Sequence, residues 1–158
     1  MYYTTMTSPF GEIALKGTEH GLTALAFQQG DAAINLSELT HKPEIFTETI
    51  EQLTQYFDGK RTAFSLKLAP QGTKFQQQVW QALCQIPYGE TVSYAWLAEN
   101  INNPKAVRAV GSANGKNPIA LIIPCHRVIG ANNKLTGYAG GLTLKAQLLS
   151  FEGAKFTP

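Results

Sequence analysis

Cysteine is scarce in this chain. Only Cys84 and Cys125 occur among 158 residues. Two thiols build neither a disulfide framework nor a cysteine-rich zinc site. A single bridge stays open, but the N-terminus, Met1-Tyr2-Tyr3-Thr4-Thr5, lacks the basic start and apolar stretch of an export signal. Reduced thiols and a soluble, cytoplasmic protein are therefore expected. No apolar run reaches membrane-spanning length, so no membrane partner is expected. Internal repeats and low-complexity tracts are lacking as well. Charge is sparse: charged residues make up 15% of the chain, and the net charge of +2 is too small to announce a polyanionic partner. With 44% hydrophobic residues, the composition excludes a disordered or fibrous class.

The distribution of charge is more informative than its total. Residues 1–69 hold five Lys/Arg against eight Asp/Glu, and residues 70–158 hold eight against three. A polyanion would be drawn to the second half. Chance segregation in a two-part protein explains the asymmetry equally well.

The pattern predicts an α+β protein in two parts. Residues 1–69 read as a small antiparallel sheet with a helix. Strands are expected over Met1–Thr7, Gly11–Gly17 and Leu22–Gln28, with Ser8-Pro9-Phe10-Gly11 as a turn. A helix from Pro43 carries the apolar stripe Phe46, Ile50, Leu53, Phe57 and ends at Asp58-Gly59. No chemical motif lies on this part. Leu66–Gly72 reads as a linker.

Residues 70–158 read as a mainly helical, winged-helix-like domain with a helix-turn-helix. Thr73 and Gln76 form a capping box for a helix burying Phe75, Val79, Leu83 and Ile86, which Pro87 stops. Cys84 on that helix reads as packing. Thr91 or Ser93 caps a shorter helix. Asn103 then caps a second, with Pro104 at its first position, running to about Asn114. Val107, Val110 and Asn114 share its inner side. Its outer side carries Lys105, Arg108, Ala109, Ser112 and Gly115, a basic and otherwise small surface suited to close approach to DNA. An ordinary solvated helix has the same look. A polar loop, Gly130–Gly141, precedes a last helix, Leu142–Phe151, closed by Glu152-Gly153.

The apolar run Pro118–Ile123 ends in Pro124-Cys125-His126-Arg127. A cysteine attacks as its thiolate, which a neighbouring base or cation creates. In a regular strand Cys125 and His126 point to opposite faces. Either the backbone bends there or water bridges the two, and Pro124 makes the backbone irregular. The imidazole needs a third group to fix its tautomer. Glu152 is the leading candidate, being one of three acidic residues in the basic half. A free cysteine is as often a small buried hydrophobe, and a Cys-His pair alone leaves both readings open. His20 and His41 lie near turns and read as solvated.

At this point the sequence resembles a known family. Pro124-Cys125-His126-Arg127-Val128 is similar to the active-site signature of the 6-O-alkylguanine-DNA alkyltransferases, also called methylated-DNA–protein-cysteine methyltransferases. The likeness runs from Phe75 to Gly153. It includes Pro87-Tyr88-Gly89-Glu90, Asn103-Pro104-Lys105-Ala106, Arg108-Ala109-Val110-Gly111, Asn117-Pro118, and Tyr138 with Gly140-Gly141. Residues 1–69 resemble the family only in length and element order.

The resemblance implies roles. Cys125 would be the nucleophile and alkyl acceptor, His126 would take its proton through a water, and Glu152 would orient His126. Asn117 would brace the turn. Arg108 would fill the space left by the extruded base. Tyr94 would press on the phosphate and donate a proton to guanine. Tyr138 and the Ala139-Gly140 backbone would line the guanine pocket, and the Cys125 and Val128 carbonyls would accept from the exocyclic amine. The partner would be double-stranded DNA with an alkylated guanine, entered from the minor groove by a monomer. 4-O-alkylthymine would be a second substrate. Each molecule would act once, without metal or cofactor. Some relatives carry an N-terminal zinc cluster or a second acceptor cysteine, and residues 1–69 have no cysteine for either. Ala139 stands where some relatives have Ser. Two other readings compete: a DNA-binding lesion-recognition or regulatory protein with an inert Cys125, and a Cys-His hydrolase.

Overall fold

The structure, a computed structural model, describes residues 1–138 and 140–158. Its first part is an antiparallel meander of β1 (Tyr2–Ser8), β2 (Gly11–Thr18) and β3 (Gly21–Phe27). The first turn is closed by Ser8. Its Oγ donates to the Gly11 carbonyl at 2.6 Å and accepts from Phe10 N–H at 3.2 Å. Gly11 has φ +113°, a backbone that a side chain would strain. β4 (Thr40–His41) pairs in parallel with β1, giving the order β3-β2-β1-β4. Two residues carry no readable period, which is why the sequence pattern does not reveal this strand. His41 Nε2 lies 3.2 Å from Thr4 Oγ1.

One turn of 3-10 helix, Pro43–Phe46, leads into α1 (Thr47–Phe57). The helix stripe reaches further than Phe46, Ile50, Leu53 and Phe57. Tyr56 is fully buried beside Leu53, whereas Ile50 and Phe57 are only partly covered.

The outer edge of β3 is covered rather than free, which removes an aggregation-prone edge. Leu22 exchanges hydrogen bonds with the 66–72 segment: its N–H reaches the Lys67 carbonyl at 3.0 Å, and Ala69 N–H returns to Leu22 at 2.7 Å. The expected linker is therefore pinned to the sheet. Leu25 does the same further along. Its N–H bonds the Pro118 carbonyl at 3.0 Å, and Ala120 N–H bonds the Leu25 carbonyl at 3.1 Å. The sheet thus holds the segment that leads to Cys125.

α2 (Lys74–Leu83) begins with the capping box of Thr73 and Gln76. It ends earlier than its apolar pattern suggests. Tight bonds from Gln85 to Ala82 and from Ile86 to Leu83 turn Ile86, not Cys84, into the core. Cys84 is exposed, which corrects the expectation that it packs. β5 (Val92–Ser93) pairs in parallel with β6 (Val128–Ile129). Ser93, not Thr91, caps α3 (Tyr94–Asn100), its Oγ accepting from Trp96 N–H at 3.0 Å.

The next helix starts later than expected. α3 closes in a left-handed C-cap with Asn102 at φ +60°. Asn102 N–H bonds the Glu99 carbonyl at 3.0 Å and Asn103 N–H bonds the Ala98 carbonyl at 2.9 Å. The Asn103 carbonyl accepts from Ala106 N–H at 3.0 Å, so a tight turn rather than the helix follows it. Pro104 and Lys105 lie in a turn, and α4 runs Val107–Gly115 without a side-chain cap. Val107 is 38% exposed, so the inner face of α4 rests on Val110, Ala113 and Asn114. α5 (Leu142–Phe151) has the expected bounds.

The architecture is α+β, as strands followed by helices imply. Apolar side chains of both parts join one core cluster. No helix among the described residues is long and apolar enough to cross a membrane. Buried Trp80 ties α2 to α4 through its Nε1–H, which donates to the Ala113 carbonyl at 2.9 Å. Replacing Trp80 with Phe leaves that carbonyl short of a donor and removes buried area. The expected loss is about 1–3 kcal/mol by urea unfolding; an unchanged midpoint would contradict the packing described.

Candidate active site

The site is built on a backbone that is not a strand. Ile122 N–H bonds the Ala120 carbonyl at 2.8 Å across Leu121, which is buried at φ +70°. That is a γ-turn of the rare, strained hand. Cys125 N–H bonds the Ile123 carbonyl at 2.8 Å across Pro124 (φ −82°, ψ 63°), a γ-turn of the common hand. Cys125–Arg127 then form one turn of 3-10 helix. Of the two routes left open by the sequence, the backbone takes the bend. Asn117 braces it. Its Nδ2 donates to the Ile123 carbonyl at 2.7 Å, while its Oδ1 accepts from Ile119 N–H at 3.0 Å.

The bend sends three consecutive side chains to useful places. Cys125 lines a cavity of about 350 Å³ with Asn117, Tyr138, Gly140 and Gly115. Leu25 and Ile34 of the N-terminal part complete a largely apolar wall. His126 and Arg127 turn away and converge on Glu152. His126 Nε2 is 3.0 Å from Glu152 Oε2. Arg127 grips the carboxylate with two bonds, Nε to Oε1 at 2.8 Å and Nη2 to Oε2 at 3.0 Å. Its Nη1 donates to the Ile86 carbonyl at 2.7 Å. Tyr56 reaches across from α1 and donates to Glu152 Oε2 at 2.6 Å.

Glu152 is held in place by the end of α5. Gly153 at φ +74° lets the chain close with bonds from Gly153 to Ser150 and from Ala154 to Leu149. Burial raises the pKa of the Glu152 carboxyl, but the His126 and Arg127 hydrogen bonds and charges outweigh it and hold it at about 2. A carboxylate accepts only, so the proton shared with His126 sits on Nε2. Nδ1 is then a bare lone pair, buried and without a partner among the described residues. This is the atom free to take a proton. Burial lowers the His126 pKa and raises that of the Cys125 thiol, which Asn117 and the Lys145 charge only partly offset. The resting pair is thus a thiol and a neutral imidazole, with both charges withheld.

The remaining expected residues divide in two. Tyr138 and Gly140 share the Cys125 cavity, and the buried Tyr138 hydroxyl has no hydrogen-bond partner among the described residues. Ala139 lies outside the described residues. The carbonyls expected to hold a nucleobase amine are partly occupied. Cys125 O accepts from Val128 N–H, and Val128 O accepts from Lys145 Nζ at 2.6 Å, which leaves each one lone pair. Arg108, Ala109, Ser112 and Gly115 are exposed on α4, and Lys105 is exposed in the preceding turn. Tyr94 packs near Gly111 and its hydroxyl lies 2.7 Å from Thr136 Oγ1. It does not line the cavity.

Three participants were not read from the sequence. Lys145 is fully buried, its ammonium on the Val128 and Thr136 carbonyls, and burial lowers its pKa to about 8. Its signal was a lone cation inside the apolar stretch Leu142–Phe151. Arg127 was visible only as part of a motif. Tyr56 extends the buried stripe of α1 by one turn step from Leu53. No group of three or more His, Cys, Asp or Glu side chains among the described residues is gathered as a metal site.

Comparison with known proteins assigns the family. Residues 74–154 match the DNA-binding domain of 6-O-methylguanine DNA methyltransferase, and residues 1–70 match its ribonuclease-like domain. The chain belongs to the 6-O-methylguanine DNA methyltransferase family. It is 54% identical over 155 residues to a methylated-DNA–protein-cysteine methyltransferase of Methanosarcina acetivorans, covering 98% of this chain and 99% of that one. A constitutive Bacillus subtilis enzyme of the same name is 48% identical over 96% of this chain and 94% of its own. Mycobacterium tuberculosis OGT, solved in complex with DNA, superposes with a TM-score of 0.90 at 48% identity, over 97% of this chain and 93% of that one.

The depressed carboxyl fixes an acid-stability prediction. A folded pKa of about 2, below the unfolded value, gives stability that is complete above roughly pH 5 and is lost as pH falls towards 2. The full term is on the order of 3 kcal/mol. Urea unfolding from pH 5 to pH 2 should show a shallower loss in Glu152→Gln than in the wild type, whatever the variant's starting stability. Parallel slopes would contradict the assignment.

Proposed function

We propose that this protein repairs DNA by moving the alkyl group of a 6-O-alkylguanine onto Cys125 Sγ, once and irreversibly. The observation that carries the reading is a buried thiol at the wall of an enterable cavity, next to a His126 whose Nδ1 is unpartnered and whose Nε2 is fixed by Glu152. Family membership and the DNA complex of the M. tuberculosis relative support DNA as the partner.

The chemistry balances. His126 Nδ1 takes the thiol proton, through one water. Sγ forms a bond to the alkyl carbon as that carbon's bond to guanine O6 breaks. The departing guanine is protonated and leaves neutral. A thioether remains, and no group among the described residues of the cavity reverses it. No metal or cofactor enters any step. The alkyl carbon is hidden in a duplex, so the nucleotide must be swung out, at a few kcal/mol. In this reading α4 enters the minor groove, where Ala109, Ser112 and Gly115 permit close approach and Lys105 meets phosphate. Arg108 occupies the vacated stack, and Tyr94, outside the resting cavity, supports the rotated phosphate and gives its phenolic proton to the seated base, the proton taken up by His126 then restoring the phenol through solvent. Tyr138, Val128 and the Ala139-Gly140 backbone hold the guanine. Residues 1–69 support the reacting part, 70–158. A single chain supplies every group, so the protein acts as a monomer, with 4-O-alkylthymine as a second substrate. A cytoplasmic location suits its reduced thiols.

Two measurements test this. After mixing with a duplex containing 6-O-methylguanine, intact mass should rise by one methyl group, mapped to Cys125 and absent in Cys125→Ser. An unchanged mass with retained lesion binding would instead mark a recognition protein without transfer. Arg108→Ala should slow transfer from duplex by about tenfold or more, equivalent to ~1.4 kcal/mol of the unstacking cost. Labelling by free 6-O-benzylguanine should be unaffected, because that base needs no flipping.

A further inference from the structure

We propose that Tyr56, on α1 of the N-terminal part, is a positioning residue for alkyl transfer. By donating to the same Glu152 oxygen that holds His126, its hydroxyl sets how basic the imidazole is. This rests on the reading of His126 as the proton acceptor.

Glu152 Oε2 carries three donors: Tyr56 Oη at 2.6 Å, His126 Nε2 at 3.0 Å and Arg127 Nη2 at 3.0 Å. A carboxylate oxygen has two lone pairs, so these donors compete. The phenol makes the shortest of the three contacts and draws density from the bond that would stabilise an imidazolium. It is also a permanent donor, because burial and then the Glu152 charge push its own ionisation far above any working pH. The ring is clamped by Phe57, Phe64, Tyr88 and Phe151, with centroids at 5.2, 5.6, 6.1 and 5.3 Å respectively. The hydroxyl is thus aimed by packing, and it crosses 96 residues of sequence to reach its acceptor. Other charged or titratable groups face the cluster. Arg127 and Tyr88 lie against the Tyr56–Glu152 side, and Arg127, Lys145 and Glu152 act on His126. Cys125 and Tyr138 stand on the cavity side. Of these, only Tyr56 shares the carboxylate oxygen with His126 while bringing no charge.

The sign follows. Without the phenol, Glu152 stabilises an imidazolium better, and the His126 pKa rises. Transfer needs neutral His126, so the rate falls on the acid side of that pKa. Raising the pKa moves this acid limb to higher pH. Strengthening the phenol as a donor moves it to lower pH.

The test uses full-length protein and single-turnover labelling by free 6-O-benzylguanine across pH, which removes DNA binding from the profile. Tyr56→Phe keeps the ring packing and should shift the acid-limb midpoint up by about half a pH unit. 3-Fluorotyrosine at position 56, a more acidic phenol, should shift it down. A uniform fall in rate with a fixed midpoint, or no change, would assign Tyr56 a packing role only and overturn the proposal. If Tyr56→Phe does not fold, the fluorotyrosine protein decides alone on the same criterion. His126→Ala separates the two levels. If the acid limb survives in that variant, His126 is not the proton acceptor and both readings fall. If it vanishes there but stays fixed in the Tyr56 variants, only the Tyr56 proposal fails.

Discussion

One buried carboxylate organises this molecule. Glu152 takes bonds from an imidazole, a guanidinium and a phenol, and these arrive from a 3-10 turn and from a helix of the other part. A buried charge is tolerable only when its lone pairs are used, and the two bonds from Arg127 both neutralise it and fix its plane. Truncating Glu152 would strand the Arg127 guanidinium as an unpaired buried charge. Its placement depends on a left-handed glycine, since α5 must stop at Glu152 for the carboxylate to face His126.

That anchoring explains how a burial-suppressed thiol can react. Burial disfavours both the thiolate and the imidazolium, so neither is held at rest. Glu152 makes one tautomer of His126 the resting one and leaves the other nitrogen to receive a proton. Lys145, with its ammonium on two carbonyls beside the site, adds positive potential where the thiolate appears. In the proposed reaction the charge is created at the moment of attack, inside the cavity that Cys125 lines. The N-terminal sheet has a physical share in this. It pins residues 118–120 along β3 and supplies Tyr56 from α1, so the supporting part and the reacting part meet at the same few atoms.

Much of this was legible in the sequence, for identifiable reasons. Strand propensity and turn signals placed the meander, and periodicity placed α1 and α5. The Thr73–Gln76 box marked the start of α2 because capping is local chemistry. Cys125 and His126 were readable through the resemblance of their motif to the family signature, and Glu152 because few acids occur in the basic half. Other features were set by competition between neighbours. Asn103 looked like a helix start, but its N–H closes α3 on the Ala98 carbonyl and its own carbonyl closes a turn to Ala106, so α4 begins only at Val107. Cys84 sat on an apolar stripe, yet the helix ended one residue before it. Pro124 signalled an irregular backbone, but the turn at Leu121 has no compositional cue, because a left-handed leucine is imposed by surrounding contacts. Tyr56 was the least legible. Its partner lies 96 residues away, and only packing brings them together.

The central claim is that Glu152 fixes His126 as a neutral imidazole with its proton on Nε2 and a bare Nδ1. Nitrogen-15 NMR of the imidazole-labelled protein at neutral pH reads this directly. The account predicts a pyrrole-type shift at Nε2 and a pyridine-type shift at Nδ1. An imidazolium, or the opposite tautomer with the proton on Nδ1, would contradict it.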